Sequence, residues 1–216
     1  MPMFQISISP EEIGQLELAS FPGEISVIDS LDDEFGKAIR YLKKQKILGF
    51  DTETRPTFTP DQQSNGTALL QLSGGGRAFL FRIKKIGMPR RLCAILANPS
   101  IVKVGAAIHD DVRGLQKSAG FTPQSFIDLQ KIVWEYGIRD KSVKKMTAII
   151  LGFKISKAQQ LSNWEADQLS ESQQRYAATD AWVCREMYMK LCRSEKHPLT
   201  PEQLHPELYP DANPAE

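Results

Sequence analysis

One stretch constrains this chain more than any other: Ile47-Leu-Gly-Phe-Asp-Thr-Glu-Thr54, an apolar run that ends by presenting two acids with one residue between them. In a β-strand, residues two apart project from the same face, roughly 6.6 Å apart along the strand. Asp51 and Glu53 therefore share a face, close enough for one metal ion to bridge them. Paired carboxylates are costly unless something positive sits between them. From this stretch alone, a strand end with two solvated acids reads equally well.

At 216 residues the chain is long enough for one substantial core and does not require two domains. Its net charge of +1 leaves no general excess of Lys and Arg, so any nucleic-acid surface must be a local patch. The start, Met1-Pro-Met-Phe-Gln-Ile-Ser-Ile, has no basic region followed by a long apolar core, and no window reaches the apolar length that crosses a bilayer. The expectation is a soluble intracellular protein, cytoplasmic and without a membrane partner. Cys93, Cys184 and Cys192 are dispersed and odd in number, which fits reduced thiols better than a disulfide framework or a zinc site.

Taken in order, Ser9-Pro10-Glu11-Glu12 predicts a capped helix start, with Phe21-Pro22-Gly23 ending that helix. Glu24–Ile28 alternates like a small edge strand. Ser30 is expected to cap a helix over about residues 31–45, with Leu31, Phe35, Ile39 and Leu42 on one face. After the acidic strand comes a polar loop from Arg55 to Gly66. Two further apolar runs, Ala68–Ser73 and Ala78–Ile83, flank Gly74-Gly-Gly-Arg77, which is hairpin punctuation and predicts an antiparallel meander. Helices over about 89–97 and 109–118 alternate with strands over about 101–107 and 125–129, so the later strands should be parallel and the sheet mixed. The remainder is expected to be helical over about 129–136, 142–151 and 171–193. A proline-rich tail from about 196 is expected to be poorly ordered or loosely draped.

Two further acidic sites fit the opening pair. Val104-Gly-Ala-Ala-Ile-His-Asp-Asp111 delivers acids at the start of a helix, where carboxylates are also common as caps. In Tyr176-Ala-Ala-Thr-Asp180 the tyrosine and aspartate lie four apart and share a helix face. Asp-x-Glu, then Val-Gly-x-x-Ile-x-x-Asp, then Tyr-Ala-Ala-Thr-Asp, in this order and spacing, resembles the DEDD superfamily of 3′-5′ exonucleases. The tyrosine places the resemblance in the tyrosine subgroup, nearest the ribonuclease D and Werner-type exonuclease domains. Gly49–Pro56, Leu69-Leu-Gln-Leu72 and Gln160-Leu-Ser-Asn-Trp164 also match, and the resemblance covers about residues 25–195. Residues 1–24 then form an N-terminal helical extension and 196–216 the tail.

The resemblance implies an α/β, ribonuclease H-like fold with a five-stranded mixed sheet flanked by helices. It implies a metal-dependent 3′-5′ exonuclease acting on DNA or RNA. Asp51, Glu53 and Asp180 would hold the tighter of two divalent ions, Mg²⁺ or Mn²⁺. Asp51 would also reach the second ion, Asp111 would help through water, and Tyr176 would contact the attacking water. Independently of the family, four carboxylates in one cleft would raise each other's pKa unless divalent cations neutralised them. Asp110 and Asp111 differ by about 100° around a helix, so only one can face the cleft; counting from Ile108 in the family spacing selects Asp111. Asp128 is expected to cap the next helix.

Thr52 and His109 are candidate substrate contacts, although a lone His at a helix start is more often a surface or capping residue. Lys84-Lys85, Arg90-Arg91, Arg139 to Lys145, and Lys154 with Lys157 could meet phosphates or be solvated faces. Trp134 and Trp164 could stack on bases or serve as core anchors. The expected partner is single-stranded DNA or RNA with a free 3′ end. Because the chain lacks room for an accessory nucleic-acid-binding domain, its grip is expected to be weak or to rely on a protein partner or an oligomer. Two alternatives stand beside this reading: a catalytically weak nucleic-acid-binding or scaffold module, and an enzyme restricted to very short oligonucleotides. The presence of all four acids and the tyrosine favours the enzyme.

Overall fold

A computed structural model describes residues 4–56 and 66–208. Most of the expected loop from Arg55 to Gly66, and the tail beyond residue 208, lie outside the described residues. The strands are β1 (Glu24–Ile28), β2 (Ile47–Thr54), β3 (Thr67–Ser73), β4 (Arg77–Arg82), β5 (Val102–Gly105) and β6 (Phe126–Asp128). The helices are α1 (Pro10–Gln15), α2 (Asp33–Leu42), α3 (Ile83–Ile86), α4 (Arg90–Leu96), α5 (His109–Ser118), α6 (Leu129–Ile132), α7 (Val143–Leu151), α8 (Glu171–Leu191) and α9 (Pro201–Leu204), with 3-10 turns at Val133–Tyr136 and Pro206–Leu208.

The strands form one mixed sheet in the order β1-β4-β3-β2-β5-β6. β2, β3 and β4 are the expected antiparallel meander, and β5 and β6 are parallel around the α5 crossover. The sheet has six strands where the resemblance implied five. Glu24–Ile28 supplies the extra one, because its alternating residues pair in parallel with β4 from Glu24↔Arg77 to Ile28↔Phe81.

β2 lies in the interior of the sheet. It pairs with β3 from Gly49↔Ser73 to Thr54↔Thr67, but with β5 only from Ile47↔Val102 to Gly49↔Val104. Its last five residues therefore have a strand neighbour on one side only. The other side is left free for a cleft at the strand's end.

Alternation along β2 sends Leu48, Phe50 and Thr52 to one face and Gly49, Asp51 and Glu53 to the other. The first face packs with Phe35, Ile39 and Leu42 of α2, Leu92 and Leu96 of α4, and Leu115 of α5. The second lies under α8, beside a cluster that includes Phe21, Leu69, Leu80, Trp164, Ala177 and Ala178. Complete burial of each large apolar side chain is worth about 1.5–3 kcal/mol. The two clusters hold the sheet rigid directly behind the acids.

Several local expectations need correction. Asp32, not Ser30, caps α2, because its carboxylate accepts from both Glu34 N (2.9 Å) and Phe35 N (3.2 Å). Ser30 instead donates its hydroxyl to Asp32 Oδ2 at 2.7 Å, and Leu31 lies outside the helix, exposed. α1 has the predicted Ser9–Glu12 capping box but ends at Gln15, well before Phe21. The chain then runs extended against the loop after α7, with Ala19 N donating to Lys154 O and Lys154 N to Glu17 O, both at 2.9 Å. The tail is fastened where it is described: Leu199 is buried and donates to Trp134 O at 3.0 Å, and Thr200 caps α9. The three cysteines are free thiols, and no described helix is long and apolar enough to cross a membrane.

Candidate active site

The site begins with a glycine. A Cβ at Gly49 would stand 1.8 Å from the carbonyl oxygen of Ala181, so only glycine lets the α8 backbone rest directly on β2. The helix surface here is small as well, with Ala177, Ala178 and Ala181 all fully buried. α8 opens with a capping box in which Ser170 and Gln173 satisfy each other's backbone N–H. This fixed start and close landing deliver Tyr176 and Asp180, one turn apart on the same face, over the end of β2.

Three carboxylates meet there. One oxygen from each of Asp51, Glu53 and Asp180 can be chosen so that all three lie within 4.8 Å of one another. Burial pushes the Asp51 carboxyl well above the ordinary range, and the charges of Asp180 and Asp111 add to the effect. Glu53 is raised to about 10, by burial first and then by Asp51, Asp180 and Asp111. Asp180 is raised by burial, against the opposing pull of the Tyr176 hydroxyl that donates to it and of the nearby Lys157 charge. The Tyr176 phenol is itself held above its usual value by burial, by the charges of Asp180 and Glu53 and by this hydrogen bond.

Asp111 stands at one remove from the trio. It comes from the first turn of α5, beyond the other face of β2, and its Oδ1 accepts a short hydrogen bond from the Thr52 hydroxyl. Burial raises its pKa while that hydrogen bond lowers it. Asp110 is exposed. Asp128 caps α6 as expected, and its Oδ1 also accepts from Ala107 N at 2.9 Å. Ala107 has a left-handed backbone (φ 59°), so this contact steadies the strained turn that leads into α5 and Asp111.

Asp51, Glu53, Asp180 and Tyr176 line a cleft of about 290 Å³ together with Ser142, Lys144, Lys157 and Gln160. Neither Thr52 nor His109 lines it. The Thr52 side chain faces the opposite side of the sheet and is committed to Asp111, while His109 is exposed in a separate cavity outside α5. Of the expected basic clusters, Lys84, Lys85 and Lys145 are ion-paired, Arg91 covers the ring of Phe35, and Lys154 bonds the Gly14 carbonyl. Trp164 is fully buried and cannot stack on a base, and Trp134 is partly exposed with its indole N–H on Lys131 O at 3.0 Å.

Residues 27–194 match the model of the 3′-5′ exonuclease family. The chain belongs to the 3′-5′ exonuclease family. It is 34% identical over 178 residues to Exonuclease 3′-5′ domain-containing protein 2 of Drosophila melanogaster, covering 78% of this chain and 30% of that one. The fold matches Escherichia coli RNase D, described as an exoribonuclease involved in structured RNA processing, with a TM-score of 0.70, 27% identity and coverage of 79% of this chain and 44% of that one. It also matches Trypanosoma brucei RNase D in complex with RNA U12, with a TM-score of 0.71, 18% identity and coverage of 91% and 77%. This family member thus spans under a third of the fly relative's length. The fold class is the ribonuclease H-like one of these neighbours.

Proposed function

We propose that the chain removes nucleotides one at a time from the free 3′ end of single-stranded DNA or RNA, with residues 25–195 as the catalytic domain and two divalent cations, Mg²⁺ or Mn²⁺, as cofactors. The observation that carries this reading is the convergence of Asp51, Glu53 and Asp180 within 4.8 Å beside Tyr176, on the fold of the family. The donor set fits such ions, because it offers only carboxylate oxygens, the ligands that hard cations prefer. The raised pKa values of the buried acids point the same way, since without a cation the group must take up protons to relieve its repulsion.

Asp51, Glu53 and Asp180 would hold one ion, with Asp51 shared to a second and Asp111 assisting. When bound, such ions activate water and stabilise the leaving oxygen of a phosphodiester. The chain's own groups do the rest. Tyr176, which keeps its proton at neutral pH, orients the attacking water by a hydrogen bond. Thr52 fixes the rotamer of Asp111. Lys144 and Lys157, which line the cleft together with the acids, supply positive charge for the phosphates of the entering strand. Most of the remaining expected basic clusters are engaged within the chain, so a firm grip on a long strand would come from a protein partner or a second copy.

The test is purified protein with Mg²⁺ or Mn²⁺ on 5′-labelled single-stranded DNA and RNA, a 3′-recessed duplex and a circular single strand. A shortening ladder on linear strands and survival of the circle are expected. Asp51→Asn and Asp180→Asn should each abolish hydrolysis while the protein stays folded, since each removes a charged ligand. Cleavage of the circle, or near wild-type activity in either variant, would overturn the reading. A scaffold without chemistry would instead bind the strands and leave all of them intact.

A further inference from the structure

A second cavity, larger than the acid cleft at about 490 Å³, lies between α5 and the edge strand β6. Asp111 and Arg113 are two positions apart on α5, roughly 200° around the helix. The acid therefore faces β2, where the Thr52 hydroxyl holds it, while Arg113 looks the other way, into this cavity. His109, one turn before Arg113, joins it, and Lys131 reaches in from α6. None of these three side chains has a hydrogen-bond or ion-pair partner among the described residues. Lys85, Lys145 and Lys196, by contrast, are each held by a carboxylate.

Ile108, Val112 and Phe126 give the cavity an apolar part to its wall, beside the neutral polar side chains of Gln116, Gln124 and Ser125. One acid, Asp128, also lines the space, but its Oδ1 is occupied by the backbone N–H groups of Ala107 (2.9 Å) and Gln130 (3.0 Å). Arg113 and Lys131 thus set two positive charges against one negative. Unpaired cations beside a partly apolar wall suit a ligand with an anionic end and a flat, weakly polar body. The volume falls within the roughly 300–1,000 Å³ of small-molecule sites. A phosphate joined to a nucleobase has this character.

We infer that this cavity is a second nucleotide site, separate from the acid cleft, which takes a nucleoside monophosphate unit. The phosphate lies against Arg113 and Lys131, and the base lies against Ile108, Val112 and Phe126. The same unit occurs as a free nucleotide and as one residue of a bound strand.

The binding arm uses the full chain in chelator, without divalent metal, titrated with adenosine 5′-monophosphate and followed by NMR. Saturable binding is expected, with shifts centred on residues 108–131, and adenosine lacking the phosphate should bind far more weakly. Arg113→Ala together with Lys131→Ala should weaken nucleotide binding by about 10-fold or more, the scale of a lost charge-assisted contact. Arg113→Gln, a milder change at an exposed position, should weaken it less. The second arm rests on the proposed exonuclease activity and compares the KM of a dinucleotide with that of a longer 5′-labelled strand. A raised KM for the long strand alone in the double variant assigns the site to strand binding; unchanged KM values with lost nucleotide binding assign it to free nucleotide. No saturable binding by the wild type, shifts confined to the acid cleft, or a double variant that binds like wild type would each overturn the inference. Because the first arm needs neither metal nor turnover, its result stands whether or not the exonuclease reading holds.

Discussion

Gly49 of β2 and Ala181 of α8 meet backbone to backbone, with 1.8 Å between the place a Cβ would occupy on the glycine and the alanine's carbonyl oxygen. The residue beyond Gly49 by two is Asp51, and the residue before Ala181 is Asp180, so the closeness of two acids follows from the absence of one methyl group. Gly49→Ala should push α8 off the sheet and separate Asp180 from Asp51 and Glu53. Because the obstacle is backbone, the loss of stability should reach the upper part of the overpacking range, about 3 kcal/mol. Activity should fall even at temperatures where the variant is folded, and chemical denaturation alongside a 3′-5′ exonuclease assay would measure both effects. A variant as stable and active as wild type would show that the helix can shift at little cost.

Thr52 and Asp111 offer a gentler probe of the same site. Thr52 is buried, and its hydroxyl is the side-chain group that holds Asp111 in place. Thr52→Val keeps the shape and removes the hydrogen bond. Loss of a group that orients a metal ligand typically costs about 10–100-fold in metal affinity or activity. The expected outcome is a loss in that range with little change in melting temperature, read from turnover as a function of Mn²⁺ concentration. If the variant needs no more Mn²⁺ than wild type and turns over equally fast, Asp111 does not depend on Thr52.

Tyr176 can be separated from the ions. Burial and the neighbouring charges of Asp180 and Glu53 hold its phenol above the ordinary value, so at neutral pH it donates a hydrogen bond and cannot accept a proton. Tyr176→Phe should therefore leave cation binding near wild type while lowering turnover by roughly 10²–10⁴. The rate should still rise with pH, because the group that titrates is not the phenol. Loss of that rise in the variant would make Tyr176 itself the base.

Much of this architecture was legible because it is written in local periods. The two-residue period of β2 put Asp51 and Glu53 on one face, the four-residue spacing did the same for Tyr176 and Asp180, and Gly74-Gly-Gly marked the hairpin. What escaped depends on where distant elements land. Thr52 looked like a substrate contact because nothing local shows that α5 brings Asp111 to its hydroxyl. His109 sits two residues before Asp111, yet helix geometry turns it into a different cavity. Lys144 and Lys145 are adjacent, but Asp140 pairs with one and leaves the other to line the cleft. Asp32 takes the cap of α2 from Ser30 because, although both are good caps, only the Asp32 carboxylate reaches two N–H groups at once, those of Glu34 and Phe35.

The cost of gathering the acids should be visible in the pH dependence of stability. In the metal-free protein Glu53 is raised from its ordinary 4.5 to about 10, and Asp51, Asp111 and Asp180 are raised in the same direction. Between those two values the folded chain retains a proton that the unfolded chain has released. The stabilisation from that proton is complete below about 4.5 and is lost as pH rises through about 10, so metal-free stability should fall with pH across this window. A divalent cation replaces the protons as the neutralising charge and binds better as they leave. Added Mg²⁺ or Mn²⁺ should then raise the melting temperature little at pH 5 and substantially at pH 8, and Asp180→Asn should flatten the metal-free slope. Thermal unfolding at a series of pH values, with chelator and with Mn²⁺, measures all three. A cation effect that is equal at pH 5 and pH 8 would mean that the ions bind somewhere other than this carboxylate cluster.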